Sequence, residues 1–425
     1  MQTTEQLVEE AVEKSIKINF KKDLPKTQHD LAFQIMKEVV YEAKYLSFAE
    51  WQQRVAQLEQ DFLALPEGRF AYLFLQMQAG VATKIHFDKI NKSNYTNRGI
   101  EQAKIWLVEG DTSIWNVLLL LYIFLGEIQR TQGQIDAAIA TYQQGLTHAQ
   151  AWLDDASLWE QVLKLYVNLG DAQEQQGQVD AAIATYQQGL THAQAWLDDA
   201  SVWEQVLQLY FNLGAVQGKQ GQVDAAIATY QQGLTHAQAW LDEASVWEQV
   251  LKLYVNLGDA QEQQGQVDAA IATYQQGLTH AQAWLDEVSV WKRVLNLYVN
   301  LGWTQGKQGQ VDAAIATCQQ GLTHAQAWLD EASVWEPVLY LYDIHSADLY
   351  NSGHIAVSLP YFPVINYFLW QEAKLDSQDL HRRIDNQKNH FEYLTSPINL
   401  TNYFQAFLHQ LITEWHHPDN QHRHP

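Results

Sequence analysis

The sequence predicts an all-α protein, a solenoid of antiparallel helical hairpins with a helical cap at each end. Three observations support this fold class: a long segment recurs in register, each half of the segment has the apolar spacing of a helix, and a glycine separates the halves. Such repeats grow by stacking rather than around one closed core. Five full copies of 44 residues begin at positions 113, 157, 201, 245 and 289.

Both halves of the repeat read as amphipathic helices. Large apolar residues follow one another at steps of three and four, which places them on one side of a helix. Each helix is predicted to span about 18 residues, or roughly 27 Å. In the copy at 157–200 the two apolar faces include Trp159, Val162, Leu163, Tyr166 and Leu169, then Ile183, Tyr186, Leu190, Ala193 and Leu197.

Short polar signals mark where these helices begin and end. Ser157 and Glu160 have the spacing of a capping box, which satisfies free N–H groups at a helix start. Gly177 in "QQGQVD" is predicted to end the first helix in the left-handed conformation. Asp180 then falls at the positive N-terminus of the second helix. The repeat is therefore predicted to be a helical hairpin.

The pair Leu169-Gly170, the later Gly177 and the run "DAAIATYQQGL" resemble the tetratricopeptide repeat. The resemblance implies a right-handed superhelix in which the glycine lets the two helices cross closely and Ala182 packs where the next hairpin docks. It also implies that the first helices line a concave groove. The unit is 44 residues long instead of the usual 34 or so. HEAT and armadillo repeats share this length range, but their motifs do not explain the Leu-Gly and Ala pattern.

Segments outside the full copies are predicted to be caps. The register weakens on both sides of the five hairpins, and Pro360 and Pro363 interrupt the last copy. The predicted organisation is a non-repeat helical region at 1–95, a degenerate half-repeat at 96–112, five hairpins at 113–332, a degenerate capping repeat at 333–376 and a helical cap with a polar, His-rich tail at 377–425.

Charge and motifs narrow the class of function. The formal net charge of −23 disfavours nucleic acid and anionic membrane surfaces as partners. The acidic start and the lack of a long apolar run lead us to expect a cytoplasmic protein. No phosphate-binding loop, nucleophile elbow or metal-binding helix motif is present, so we expect neither an enzyme nor a cofactor. The single cysteine, Cys318, replaces a repeated tyrosine and is predicted to be a buried thiol.

Two repeated residue types are predicted to be structural. The histidine column formed by His148, His192, His236, His280 and His324 recurs once per hairpin, too widely spaced for one metal ion to bridge easily. We therefore expect packing or surface histidines. Tryptophans such as Trp152 and Trp159 are predicted to belong to the core.

The candidate binding site is a polar stripe on the first helices, here called the first-helix stripe: the positions aligned with Lys164, Asn168, Asp171 and Gln175. The asparagine position lies some 200° around the helix from the core tyrosine, so the stripe is predicted to be exposed. The asparagine is constant in the four copies from 157 to 332, while its neighbours vary; Phe124 takes its place in the copy from 113. The candidate residues are Asn168, Asn212, Asn256, Asn300, Lys164, Asp171, Gln175, Lys219, Asp259, Trp303 and Lys307.

The asparagine column resembles the ladder in the superhelix of the O-linked N-acetylglucosamine transferase, where amides grip the backbone of an extended polypeptide. The resemblance implies a scaffold that binds a protein or peptide. The units from 157, 201, 245 and 289 carry charges of −5, −3, −5 and 0, which favours a basic segment. Two alternatives stay open: an accessory subunit of a glycosyltransferase, and a purely structural array. The oligomeric state is not predicted.

Overall fold

The computed structural model describes residues 26–65, 68–82, 93–150, 158–197, 202–240, 246–282 and 288–325, and the single positions 337, 340, 341 and 344. All regular elements within these ranges are helical, as predicted. The chain forms two compact units, Met1–Gln220 and Gly221–Pro425. The boundary falls in the turn of the hairpin at 201–244.

Within its described residues, the first unit contains four helices that precede the full hairpins and five that belong to them. The π-helical turn Met36–Tyr41 and the 3-10 turn Glu42–Tyr45 follow α1. Each helix of the repeats packs on the helix before it and on the first helix of the neighbouring hairpin. The helices are α1 Lys26–Ile35, α2 Phe48–Leu63, α3 Gly68–Ala82, α4 Ser93–Val108, α5 Trp115–Thr131, α6 Ile135–Ala149, α7 Trp159–Gln175, α8 Val179–Ala193 and α9 Trp203–Lys219.

The second unit continues the same pattern within its described residues. Consecutive helices are antiparallel neighbours, and the first helices α11 and α13 also contact each other directly. The helices are α10 Val223–Ala237, α11 Trp247–Gln263, α12 Val267–Ala281, α13 Val288–Lys307 and α14 Val311–Ala325.

The turn of each hairpin is built on a glycine in the left-handed region. Gly177 has φ 79°, and its N–H donates to the carbonyl of Glu174 at 2.9 Å while the Gln178 N–H reaches the carbonyl of Gln173 at 2.8 Å. These bonds satisfy carbonyls at the end of α7 that have no partner within the helix. Asp180 lies in the first turn of α8. The predicted helix end and the placement of Asp180 are both confirmed.

Close helix crossing at the first glycine of the repeat, Gly170, is also confirmed. A Cβ on Gly170 would lie 2.2 Å from Cε1 of Tyr186, whose ring is fully buried. The pair Gly258 and Tyr274 gives the same 2.2 Å. Cys318 occupies the tyrosine place in the last described hairpin and is fully buried, as predicted. The two helices of these hairpins can therefore cross closely because glycine has no side chain where it faces the tyrosine ring.

Hairpin contacts between neighbours use small residues on the second helix. Ala182 is fully buried, and a Cβ on Gly189 would lie 3.0 Å from both Leu209 and Tyr166. Tyr166 belongs to the same hairpin and Leu209 to the next one, so Gly189 faces both. The expected packing of Ala182 is confirmed.

The lengths of the helices differ from the prediction in the second half of the repeat. α7 has 17 residues, close to the expected length, but α8 has 15 and gives way to a 3-10 turn, Gln194–Trp196. The helical path continues through this turn, because three residues of 3-10 helix keep nearly the side-chain spacing of an α-helix. The capping-box serine at 157 and the regions 333–376 and 377–425 lie outside the described residues, apart from the four single positions.

Candidate functional site

The first-helix stripe is only partly exposed. Gln175, Lys219, Asp259 and Lys307 are exposed, and Trp303 is 53% exposed. Partly buried members are Lys164, Asn168, Asp171, Asn256 and Asn300. Asn212 is 8% exposed and therefore buried, so the prediction of an exposed column is wrong at this residue. The neighbouring hairpin covers a face that a single helix would leave open.

An aspartate, a tyrosine and an asparagine meet on the stripe of the first unit. The Tyr186 hydroxyl donates to Oδ1 of Asp171 at 2.7 Å, and Nδ2 of Asn212 donates to the same oxygen at 2.7 Å. Gln208 donates to Oδ1 of Asn212 at 2.7 Å, which fixes the orientation of the amide. Asn212 thus joins its own helix α9 to the carboxylate on α7.

The same arrangement recurs within the second unit. Oδ1 of Asp259 accepts from the Tyr274 hydroxyl at 2.6 Å and from Nδ2 of Asn300 at 2.7 Å. In both clusters Oδ1 takes two hydrogen bonds, and among the described residues Oδ2 takes none. Each carboxylate is held in a fixed orientation with one oxygen available.

Both carboxyl groups titrate above the ordinary range of aspartate. Desolvation raises the pKa of Asp171, and it outweighs the hydrogen bond from Tyr186, which acts in the lowering direction. Desolvation likewise raises the pKa of Asp259, although that residue keeps exposed surface, and the hydrogen bonds from Tyr274 and Asn300 oppose it. A cation from outside would stabilise the ionised form of either group.

The other asparagines of the column are used differently. Nδ2 of Asn256 donates to the backbone carbonyl of Lys252 at 2.8 Å, within its own helix. Asn168 is partly buried at the equivalent place on α7. An amide hydrogen is therefore used in a hydrogen bond within the protein by each of Asn212, Asn256 and Asn300. The backbone-clamp role of the column stays a prediction.

Each lysine of the stripe has a partner inside the chain. Lys164 pairs with Glu160 at 2.8 Å, and Lys252 pairs with Glu248 at 3.0 Å. Lys219 pairs with Glu174 of the preceding hairpin at 2.5 Å. No basic side chain among the described residues lies within ion-pair distance of Asp171 or Asp259. Neither carboxylate therefore forms an ion pair within this part of the chain.

The tyrosine hydroxyls were missed as site members because tyrosine at this position also serves the core. A signal was present in the sequence. Aspartate stands at 171 and 259, which are 88 residues apart, whereas the intervening hairpin has Ala215 and the following one has Trp303. Comparison of alternate hairpins would have separated the carboxylate positions from chance variation.

The described histidines and Trp159 pack as predicted, whereas Trp152 lies outside the described residues. The His192 ring stacks on Tyr166 with centroids 5.7 Å apart, and Trp159, which is 3% exposed, lies 5.7 Å from Trp196. Nδ1 of His280 is 3.1 Å from the Tyr254 hydroxyl. In the described part of the chain, no three His, Cys, Asp or Glu residues are grouped to hold a metal ion. No helix found there has the length and apolarity that crossing a membrane requires.

Two models of a known repeat family match parts of this chain. One model described as a tetratricopeptide repeat matches residues 161–239 and 205–283, and a second model with the same description matches 119–148 and 295–324. No curated protein matches the chain.

Several solved structures are similar at low identity. BtubC from P. vanneervenii has 20% identity and a TM-score of 0.45, covering 55% of this chain and 90% of its own. A tetratricopeptide repeat protein from Parabacteroides merdae has 11% identity and a TM-score of 0.40, covering 78% and 98%. The quorum sensor NprR from B. thuringiensis has 13% identity and a TM-score of 0.42, covering 84% and 92%. With their crossing glycines, turn glycines and matched repeat models, the 44-residue hairpins of this chain are tetratricopeptide repeats over residues 119–148, 161–283 and 295–324.

Proposed function

We propose that this protein binds a basic, extended polypeptide segment along its first-helix stripe. A tetratricopeptide repeat protein is in general a protein-interaction scaffold, and the repeat is typically not catalytic. The class of segment and the place where it binds are the proposal. The observation that carries it is the pair of oriented aspartates, Asp171 and Asp259, each with one carboxylate oxygen available.

Charge supports a basic segment. Stripe lysines at 164, 219 and 252 are neutralised by glutamates of the chain, so they do not repel an incoming cation strongly. The whole chain carries a net charge of −23, which speeds the approach of a basic partner. A lysine or arginine of the partner would supply the charge that each aspartate lacks.

The asparagines take a supporting role in this proposal. Asn212 and Asn300 hold Oδ1 of Asp171 and Asp259 and so fix the orientation of each carboxylate. Orientation matters because a carboxylate that is already fixed loses less side-chain entropy when it binds. Constant asparagine beside variable neighbours fits a residue that positions the binding group.

The test is a titration of the intact chain with peptides of one length and three charges. Acetyl-(Gly-Lys)4-amide, acetyl-(Gly-Gln)4-amide and acetyl-(Gly-Glu)4-amide are compared by calorimetry at low salt. We expect binding of the lysine peptide only, and weaker binding as added salt screens the charges. Equal binding of the lysine and glutamine peptides, or no binding of the lysine peptide, would contradict the proposal.

A further inference from the structure

Within the second unit, the stripe carries an exposed aromatic residue beside its aspartate. Trp303 stands at the position that aspartate occupies in the hairpins from 157 and 245, and it is 53% exposed. No other large hydrophobic residue of the five hairpins is exposed among the described residues. A tryptophan ring left in water in an otherwise well-packed array is a feature of binding surfaces.

Asn300 places the tryptophan next to the carboxylate. Its amide donates to Asp259 on α11, and Trp303 follows it by three residues on α13, which is one turn along the same face. The indole and the available oxygen of Asp259 therefore flank the same asparagine. The first unit has no equivalent pair, because Ala215 holds the place of the tryptophan beside Asp171 and Asn212.

A cation already lies on this ring. Nζ of Lys307, one turn further along α13, is 5.7 Å from the centroid of the Trp303 ring. The equivalent lysine of the preceding Lys-bearing hairpin, Lys219, pairs with Glu174 instead. The contact shows that a positively charged side chain reaches the indole face without rearrangement of the helix.

From this arrangement we infer that Asp259 and Trp303 form a receptor for one arginine side chain of the bound segment. The inference rests on the proposed function and deepens it by naming a preferred residue. A guanidinium can donate N–H hydrogen bonds to the available carboxylate oxygen of Asp259 while its plane stacks on the indole, and an ammonium group cannot do both as well. Lys307 swings off the ring when the arginine arrives.

The test compares acetyl-(Gly-Arg)4-amide with acetyl-(Gly-Lys)4-amide on the intact chain. We expect the wild type to prefer the arginine peptide by about two- to five-fold, the effect of one cation–π contact at an exposed site. Trp303→Ala should abolish this preference, because it weakens the binding of the arginine peptide more than that of the lysine peptide. Asp259→Asn should weaken the binding of both peptides.

A matched control lies in the first unit. Asp171→Asn also removes one stripe carboxylate, but no tryptophan is beside it, so both affinities should fall while the preference for arginine remains. Lys307→Ala should keep or strengthen the binding of the arginine peptide, because it removes the internal competitor. Melting temperatures check that each variant is folded.

The possible results separate the two proposals. If the wild type binds neither peptide, the proposed function fails and the arginine receptor fails with it. If both peptides bind but Trp303→Ala keeps the wild-type preference, or Asp259→Asn changes neither affinity, the receptor is overturned and the binding of basic segments stands.

Discussion

At the helix crossing, Gly170 faces the Tyr186 ring and the same contact recurs unchanged at Gly258 and Tyr274. One position further along the chain, the stripe residue changes from Asp259 to Trp303 between adjacent hairpins. The crossing has no free volume, because an added methyl group would overlap the ring. The stripe meets solvent on one side. The comparison shows that packing keeps the crossing glycine in every full hairpin, even where Cys318 replaces the tyrosine, whereas the stripe residue next to it varies.

The largest loss of stability is expected from a substitution at the helix crossing. Gly170→Leu must displace the buried Tyr186 ring, since even a Cβ would lie 2.2 Å from it. Overpacking of this kind typically costs about 1–3 kcal/mol in the free energy of unfolding. Urea denaturation of the intact chain measures it.

The control for this prediction is Lys219→Leu. Lys219 is exposed, and an exposed ion pair such as the one it forms with Glu174 contributes about 0–1 kcal/mol. Equal losses of stability for the two variants would mean that the crossing and the stripe do not differ as described. Gly258→Leu, whose added Cβ would likewise lie 2.2 Å from the Tyr274 ring, is expected to behave like Gly170→Leu.

A smaller effect is expected where asparagine joins two hairpins. Asn212→Ala removes the amide that donates to Asp171 and leaves Gln208 without its acceptor. The net contribution of one such hydrogen bond to the free energy of unfolding is about 0.5–1.5 kcal/mol. Asn300→Ala should act in the same way on Asp259.

Asn256→Ala is the matched control in the same column. Its amide bonds only the carbonyl of Lys252 in its own helix, and alanine favours a helix more than asparagine does. Its unfolding free energy should therefore change little. A loss as large as that of Asn212→Ala would show that the bond between hairpins is not what distinguishes these asparagines.

Most of the packing could be predicted from one repeat, but the hydrogen bonds and the burial of the first-helix stripe could not. The turn at Gly177, the crossing at Gly170 and the buried thiol at Cys318 follow from residue size, periodicity and the recurrence of the repeat. The bond from Asn212 to Asp171 joins residues 41 apart in sequence. A helical wheel shows one helix at a time, so it presents Asn212 as exposed although the neighbouring hairpin buries it.

The pH dependence provides a finer test, because it affects folding and binding in opposite directions. The folded-state pKa values of Asp171 and Asp259 are raised, so protonation of these groups favours the folded state. Their contribution to stability is complete below the pKa of an unfolded aspartate, about 3.9, and is lost as pH rises through the raised folded values. Binding of a basic peptide needs the ionised forms and should weaken as pH falls through the same window.

The measurement compares the wild type with the double variant Asp171→Asn, Asp259→Asn between pH 3 and 7. The difference in unfolding free energy between the two proteins isolates these carboxyl groups from the other acids of the chain. Relative to the variant, the wild type should lose stability as pH rises and gain affinity for acetyl-(Gly-Lys)4-amide. If the wild type gained both stability and affinity relative to the variant as pH rises, the raised pKa values of the two aspartates would be contradicted.

The most direct test of the account is a comparison of two double variants that remove equal charge. Asp171→Asn with Asp259→Asn alters the stripe, whereas Asp180→Asn with Asp268→Asn alters exposed aspartates at the hairpin turns, which accept hydrogen bonds from Gln220 and Gln308. We predict that the stripe variant binds acetyl-(Gly-Lys)4-amide on the order of tenfold more weakly than the turn variant, with no loss of melting temperature. Equal affinities in the two variants would contradict the account, because binding would then follow the overall charge and not the oriented carboxylates.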